Sequence, residues 1–153
     1  VVHGETPVEP VAEGTNHAAC TCTDVNVLAH PGLITLKDAK AAAKNGIALE
    51  ITSRGGHNRT NGQVVRMARE AGCQLVVDSD AHAPHDILDE RAKILVAKGA
   101  GLTDAECKRV LSLNIGHFFD FLGRNIIFKI IAYFVVTHEI SCGIESINLT
   151  AFA

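Results

Sequence analysis

Short apolar runs that end in polar residues alternate along this chain with longer stretches whose apolar residues recur every three or four positions. That alternation predicts strands separated by helices. Residues 25–29 (VNVLA) form one such run, which ends at His30-Pro31-Gly32. Residues 37–44 (KDAKAAAK) are strong helix formers and stop at Asn45-Gly46, residues suited to a left-handed C-cap. A second strand is predicted over 47–52 (IALEIT). A helix follows over 63–71, on which Val64, Val65, Ala68 and Ala71 share a face, and Gly72 closes it. Residues 74–78 (QLVVD) make a further strand that runs into Ser79-Asp80-Ala81-His82, and 86–98 reads as a helix. Thr103 with Glu106 three residues on makes a capping box. The helix it opens runs towards Leu111 and is expected to continue with a break at Gly116. Val1-Val2-His3 reads as the end of one more strand.

Strands spaced by helices of this length imply βαβ units, a parallel sheet and the α/β class. In such sheets functional groups gather beyond the C-terminal strand ends. Residues 123–153 lose this rhythm. They are rich in Ile and Phe and sparse in charge, and are expected to be a separate apolar tail: added strands, a subunit contact, or sequence unrelated to the domain. Within them, 126–136 is strongly apolar but interrupted by Lys129. A membrane helix needs about 20 apolar residues, so a buried strand or helix is expected there.

Composition narrows the class. With 47% hydrophobic and 20% charged residues the chain is ordinary for a soluble globular domain. A formal charge of -3, from 17 acidic and 14 basic residues, argues against a basic nucleic-acid-binding face. Five cysteines without a CxxC pair argue against a disulfide framework and for a reducing cytoplasm. Cys20-Thr21-Cys22 near His17 would suit zinc, but small buried cysteines are the expected reading. No signal peptide or initiator Met precedes Val1, so a further N-terminal segment is expected ahead of it.

Eight histidines change the picture. Four strand ends in succession carry polar residues that packing does not require. They are His3-Gly4-Glu5-Thr6, His30-Pro31-Gly32, the segment from Glu50 through Arg54-Gly55-Gly56-His57-Asn58-Arg59, and Asp80-Ala81-His82. On parallel neighbours they converge on one rim, where imidazole and carboxylate are natural ligands for zinc, manganese or iron. The two-residue step from Asp80 to His82 puts both on one side of an extended segment. Each has a plainer alternative. Asp80 suits a helix cap or turn, Glu50 a solvated strand position or a partner for Arg54, and His57 a turn.

These motifs resemble the polymerase-and-histidinol-phosphatase (PHP) domain, and within it the stand-alone histidinol-phosphatase-like proteins. VVHGETPVEPVAEGTNHAA (1–19), VLAHPGLIT (27–35), LEITSRGGHNRTNG (49–62) and VDSDAHAPHD (77–86) carry the likeness, which runs to about residue 122. The resemblance implies a distorted seven-stranded (β/α) barrel, up to three divalent metals (Zn, Mn or Fe) and phosphate-ester hydrolysis. It makes His3, His30, Asp80 and His82 metal ligands and sets Arg54, His57 and Arg59 near the substrate, with solvated or cap roles the alternative for the arginines. Glu5 and Asn16 would be substrate or supporting contacts, and His57 or His82 the acid at the leaving oxygen. The family's N-terminal His-x-His strand and its further His and Glu are absent. Residues 1–122 are therefore expected to form the C-terminal part of such a barrel, weakly active or inactive alone.

The expected partner is a small phosphorylated metabolite, with L-histidinol phosphate the leading guess. No nucleic acid or membrane is expected, and homo-oligomer formation is left open. Two other readings compete. A metal-dependent amidohydrolase also uses His and Asp at strand ends, but usually with a bridging Lys, which no strand end here carries. A non-catalytic PHP-like structural or nucleic-acid-associated module would show lost ligands and a basic surface.

Overall fold

A computed structural model describes residues 1–113. The expected helix break at Gly116, the boundary at 122, the apolar tail 123–153 and its 126–136 run lie outside the described residues. The protein is α/β. The strands β1 (Val2–His3), β2 (Val27–Ala29), β3 (Ala48–Thr52) and β4 (Leu75–Asp78) form one sheet in the order β1-β2-β3-β4. Every neighbouring pair is parallel. The connections carry α1 (Thr15–Thr21), α2 (Leu36–Asn45) and α3 (Asn61–Ala71), and α4 (Glu90–Gly99) and α5 (Asp104–Leu113) follow β4.

Register explains why each strand has two kinds of residue. Val2 pairs with Leu28, Leu28 with Leu49 and Leu49 with Leu75, which makes one apolar row across the sheet. That row packs against Ala39 and Ala42 of α2 and Val64 and Ala68 of α3. Side chains alternate along a strand. The next row, with His3 beside Ala29 and Glu50 beside Val76, therefore faces away from those helices. Ile51 and Val77 return to the helix side, against Ala97, Ala100, Leu102 and Val110.

Helix ends follow local chemistry. The Thr35 hydroxyl accepts the Asp38 N–H at 3.1 Å and donates to the Asp38 carboxylate at 2.6 Å, capping α2. Gly46, at φ 70°, ends α2 in the left-handed conformation that glycine adopts without strain. The helix expected over 86–98 starts later, at Glu90. Asp89 accepts the Ala92 N–H at 2.7 Å as its N-cap, while Pro84–Asp86 form a separate 3₁₀ turn. Asp86 is engaged with the preceding loop instead. Helix α1 was not among the predicted elements. Among the described residues no helix is long and apolar enough to cross a membrane.

The Cys20-Thr21-Cys22 pair does not assemble as a metal site. Cys20 is fully buried, and burial, Asp38 and Cys73 push its thiol up to about 12, while Cys22 is exposed. A thiol held protonated is a poor ligand. His17 instead meets Asp38, Nδ1 to Oδ1, at 2.7 Å.

The capping box of α5 is made in both directions. Thr103 N–H donates to Glu106 Oε2 at 2.8 Å, and Glu106 N–H donates to Thr103 Oγ1 at 3.3 Å. Arg69 on α3 adds a two-pronged ion pair to the same carboxylate, at 2.9 and 3.0 Å. Arg69 and Thr103 together hold the Glu106 carboxyl down at about 2, below the usual glutamate value. A depressed carboxyl stabilises the fold above its unfolded pKa, and that gain is lost as pH falls through the folded pKa. Glu106→Ala is expected to lower unfolding free energy by about 1 kcal/mol at neutral pH, by urea denaturation. The difference from wild type should shrink between pH 4.5 and about 2.

Candidate metal centre

His30 follows β2 directly, is 2% exposed, and has φ 31°, a left-handed value unusual for a residue with a β-carbon. Glu50 reaches it from β3. The His30 backbone N–H donates to Glu50 Oε2 at 2.6 Å, and His30 Nδ1 lies 2.9 Å from the same oxygen. A carboxylate only accepts, so the network assigns the ring proton to Nδ1 and leaves the lone pair on Nε2. That Nε2 is buried and has no hydrogen-bond partner among the described residues. Buried polar atoms are nearly always satisfied. A lone pair held in one direction without a donor suits a cation.

Two imidazoles flank it. The His3 ring stands edge-on to His30 at 4.6 Å between centroids, and the His57 ring is tilted at 4.4 Å. His57 opens the 3₁₀ turn His57–Thr60 after β3. It is buried, and its Nδ1 lies 2.7 Å from Thr6 Oγ1. Its Nε2 faces Glu9 Oε1 at 3.4 Å and Asp80 Oδ2 at 4.0 Å. Asp80 follows β4 with φ 48°. The donor atoms form two groups that share His30: His3, Glu9 and His30, and His30, His57 and Asp80. Within each group the atoms lie within 4.8 Å of one another.

The field at His30 favours a cation. Burial alone would lower the His30 pKa, but the hydrogen bond and charge of Glu50, with Asp80 and Glu9, outweigh it and raise it. The His57 pKa is lowered by burial and by neighbouring His30. Burial first, and then the Glu50 charge, pushes the Asp78 carboxyl up to about 7.

The loops behind the pocket are pinned to each other. Glu5 N–H donates to Asn16 Oδ1, and Asn16 N–H donates to Glu5 Oε1, both at 3.0 Å. Buried Asn16 also donates to the Pro31 carbonyl at 2.8 Å. Glu5 and Asn16 thus fasten the loop after β1 to α1 and to the loop of His30. Gly32 permits the close approach. Its φ is 60°, and a β-carbon there would run into the Glu5 carbonyl.

Arg54 and His82 sit at the rim. Arg54 Nη1 donates to Asp86 Oδ2 at 3.3 Å, and that oxygen also accepts the N–H groups of His82 and Ala83, at 2.9 and 3.0 Å. Asp86 therefore ties the loop after β4 to the loop after β3. His82 is half exposed, its Nδ1 is 2.9 Å from the Asp80 carbonyl, and it stands outside both donor groups. Arg59 is exposed and lines a separate cleft with Asn58, Gly62 and Val96. The structure thus gathers His3, His30, His57 and Asp80, and leaves Glu5, Asn16, Arg54, Arg59 and His82 outside the donor groups. Sequence reasoning missed Glu9 and gave Thr6 no role of its own, although both lie in the segment opened by HGET.

Comparison with known proteins gives two relatives. The chain is 50% identical over 111 residues to an uncharacterized protein of Methanocaldococcus jannaschii, covering 72% of this chain and 51% of that protein. It is 33% identical over 99 residues to a protein of Shewanella piezotolerans named "Probable phosphatase", covering 54% of this chain and 40% of that protein. The chain thus spans about half the length or less of these curated relatives. No family model matches it, and no solved structure matches it.

Two substitutions test the build of the pocket. Glu50→Ala leaves two buried His30 donors without their acceptor and is expected to reduce stability by about 1.5–3 kcal/mol. Nitrogen-15 shifts should then show the His30 proton no longer confined to Nδ1. Gly32→Ala is expected to cost about 1–3 kcal/mol in thermal or urea unfolding. Gly55→Ala, where a β-carbon meets nothing within 4 Å, is the control and should change little.

Proposed function

We propose that this chain is part of a metal-dependent phosphoesterase with a PHP-type barrel, acting on a small phosphate monoester such as histidinol phosphate. The observation that carries the reading is His30 Nε2. It is buried and unpartnered among the described residues, fixed as a lone pair by Glu50, and surrounded by His3, His57, Glu9 and Asp80. The donor set of imidazoles and carboxylates suits zinc, manganese or iron. The relative named "Probable phosphatase" supports the reaction class. The parallel sheet, with β1 and β4 at its edges and ligand-type residues at the strand ends, is compatible with part of a barrel. Residues 1–122 would be that part, and His82 a further ligand or the acid.

Phosphate monoesters hydrolyse very slowly unaided. Divalent ions bound here would lower the pKa of water and neutralise charge on the phosphoryl oxygens. The residues of the chain do the rest. His3, His30 and Asp80 would hold the ions in place. Arg54, at the rim beside Asp86, can turn its planar guanidinium towards phosphoryl oxygens, whereas Arg59 lines a separate cleft. His82, half exposed at the rim, can hold a proton for the leaving oxygen. The acidic side of the sheet favours the cations, and Arg54 at the rim offsets it for the anionic substrate.

Asp80→Ala in the full-length protein should reduce bound zinc or manganese, read by elemental analysis. It should also reduce hydrolysis of p-nitrophenyl phosphate by about 100-fold or more. Full metal content together with normal turnover in that variant would contradict the assignment. A wild-type protein that binds metal but cleaves no phosphate ester would favour the non-catalytic reading instead.

A further inference from the structure

We propose that Glu9 and His57 are themselves metal ligands, with Glu9 a carboxylate bridge between the two donor groups. This rests on the metal-centre reading above and adds two ligands to it. Glu9 offers its two oxygens to different imidazoles: Oε2 lies 3.7 Å from His3 Nδ1, and Oε1 lies 3.4 Å from His57 Nε2. Asp80 Oδ2 lies 4.0 Å from the same His57 nitrogen. These separations are too long for charge-assisted hydrogen bonds, which close to about 2.7–2.9 Å. They match donors that share an ion. Two atoms each about 2.0–2.1 Å from one tetrahedral zinc are about 3.4 Å apart.

The orientation of His57 agrees. Thr6 Oγ1 occupies Nδ1 at 2.7 Å, so Nε2 is the nitrogen turned towards Glu9 and Asp80. This is the arrangement in which a hydrogen bond on one ring nitrogen aims the other at a metal. His30 lies between the pairs, since both donor groups include it. Glu9 has no Lys or Arg ion pair among the described residues; its close neighbours are imidazoles. A carboxylate so placed can hold two neighbouring ions, one beside His3 and one beside His57 and Asp80. His57 is then engaged by metal, which leaves the proton at the leaving oxygen to His82.

The test uses the full-length protein titrated with zinc alone against a chromophoric chelator. Wild type is compared with Glu9→Gln, His57→Gln and His30→Ala, and melting without zinc serves as the folding control. Glu9→Gln is nearly isosteric at a half-exposed side chain, so its apo stability should match wild type. The expected result is zinc affinity lower by about tenfold or more in both Glu9→Gln and His57→Gln. Cobalt(II) in place of zinc should show altered visible absorption bands in both variants, which a change in stability alone would not produce. If wild type and both variants bind zinc equally while His30→Ala loses it, this inference is overturned and the metal centre stands. If wild type binds no zinc, both fall.

Discussion

Glu50 reaches from β3 to the first residue beyond β2 and takes two N–H groups of His30 on one carboxylate oxygen, at 2.6 and 2.9 Å. Everything around the pocket depends on that pair of bonds. They hold the backbone at φ 31° where the chain leaves the sheet. They also fix the imidazole in one tautomer and one direction. The register of β2 on β3 makes the reach possible, because Leu28 pairs with Leu49 and so sets Glu50 beside the end of β2. A one-residue slip would turn Glu50 into the helix layer and a leucine towards the pocket. The hydrophobic row Val2, Leu28, Leu49 and Leu75, buried against α2 and α3, guards the chemistry by forbidding that slip.

Two non-glycine residues among the described ones have left-handed backbones, His30 and Asp80, and both supply donors to the pocket. Such conformations persist only where the surroundings over-determine them. For His30 the surroundings are Glu50 and the clamp of Glu5, Asn16 and Gly32. For Asp80 they are the turn held by Asp86, which gathers the His82 and Ala83 N–H groups and the Arg54 guanidinium. Strain at the strand ends is thus offset by hydrogen bonds one loop further out. The same polar residues that sequence motifs mark as functional act here partly as fasteners.

Much of this was legible in the sequence. The alternation of apolar runs and helical periods marked β2, β3 and β4 and the helices α2 and α3, because burial of one face leaves a period in the sequence. Thr103 and Glu106 declared their cap, as a reciprocal pair needs only local spacing. Convergence of His3, His30, His57 and Asp80 followed from strand ends on a parallel sheet. What stayed hidden depends on distance through space. Glu9 sits in a loop with no periodic constraint, and only the folding back of that loop brings it to His3 and His57. Asp86 resembled a helix residue in sequence, yet its carboxylate is captured by a loop and Asp89 caps α4 instead. The sequence left Glu50 as a solvated strand position or a partner for Arg54, whereas it is buried and pairs with His30. The sheet register decides it.

The central claim is that the fixed lone pair of His30 Nε2 is a seat for a divalent ion. Anomalous diffraction at the zinc edge, on crystals of the protein grown with zinc, reads this directly. An anomalous peak about 2.0–2.1 Å from His30 Nε2 is expected, with carboxylate oxygen from Asp80 or Glu9 at similar distance. Zinc peaks confined to exposed histidines such as His85, with none beside His30, would contradict it.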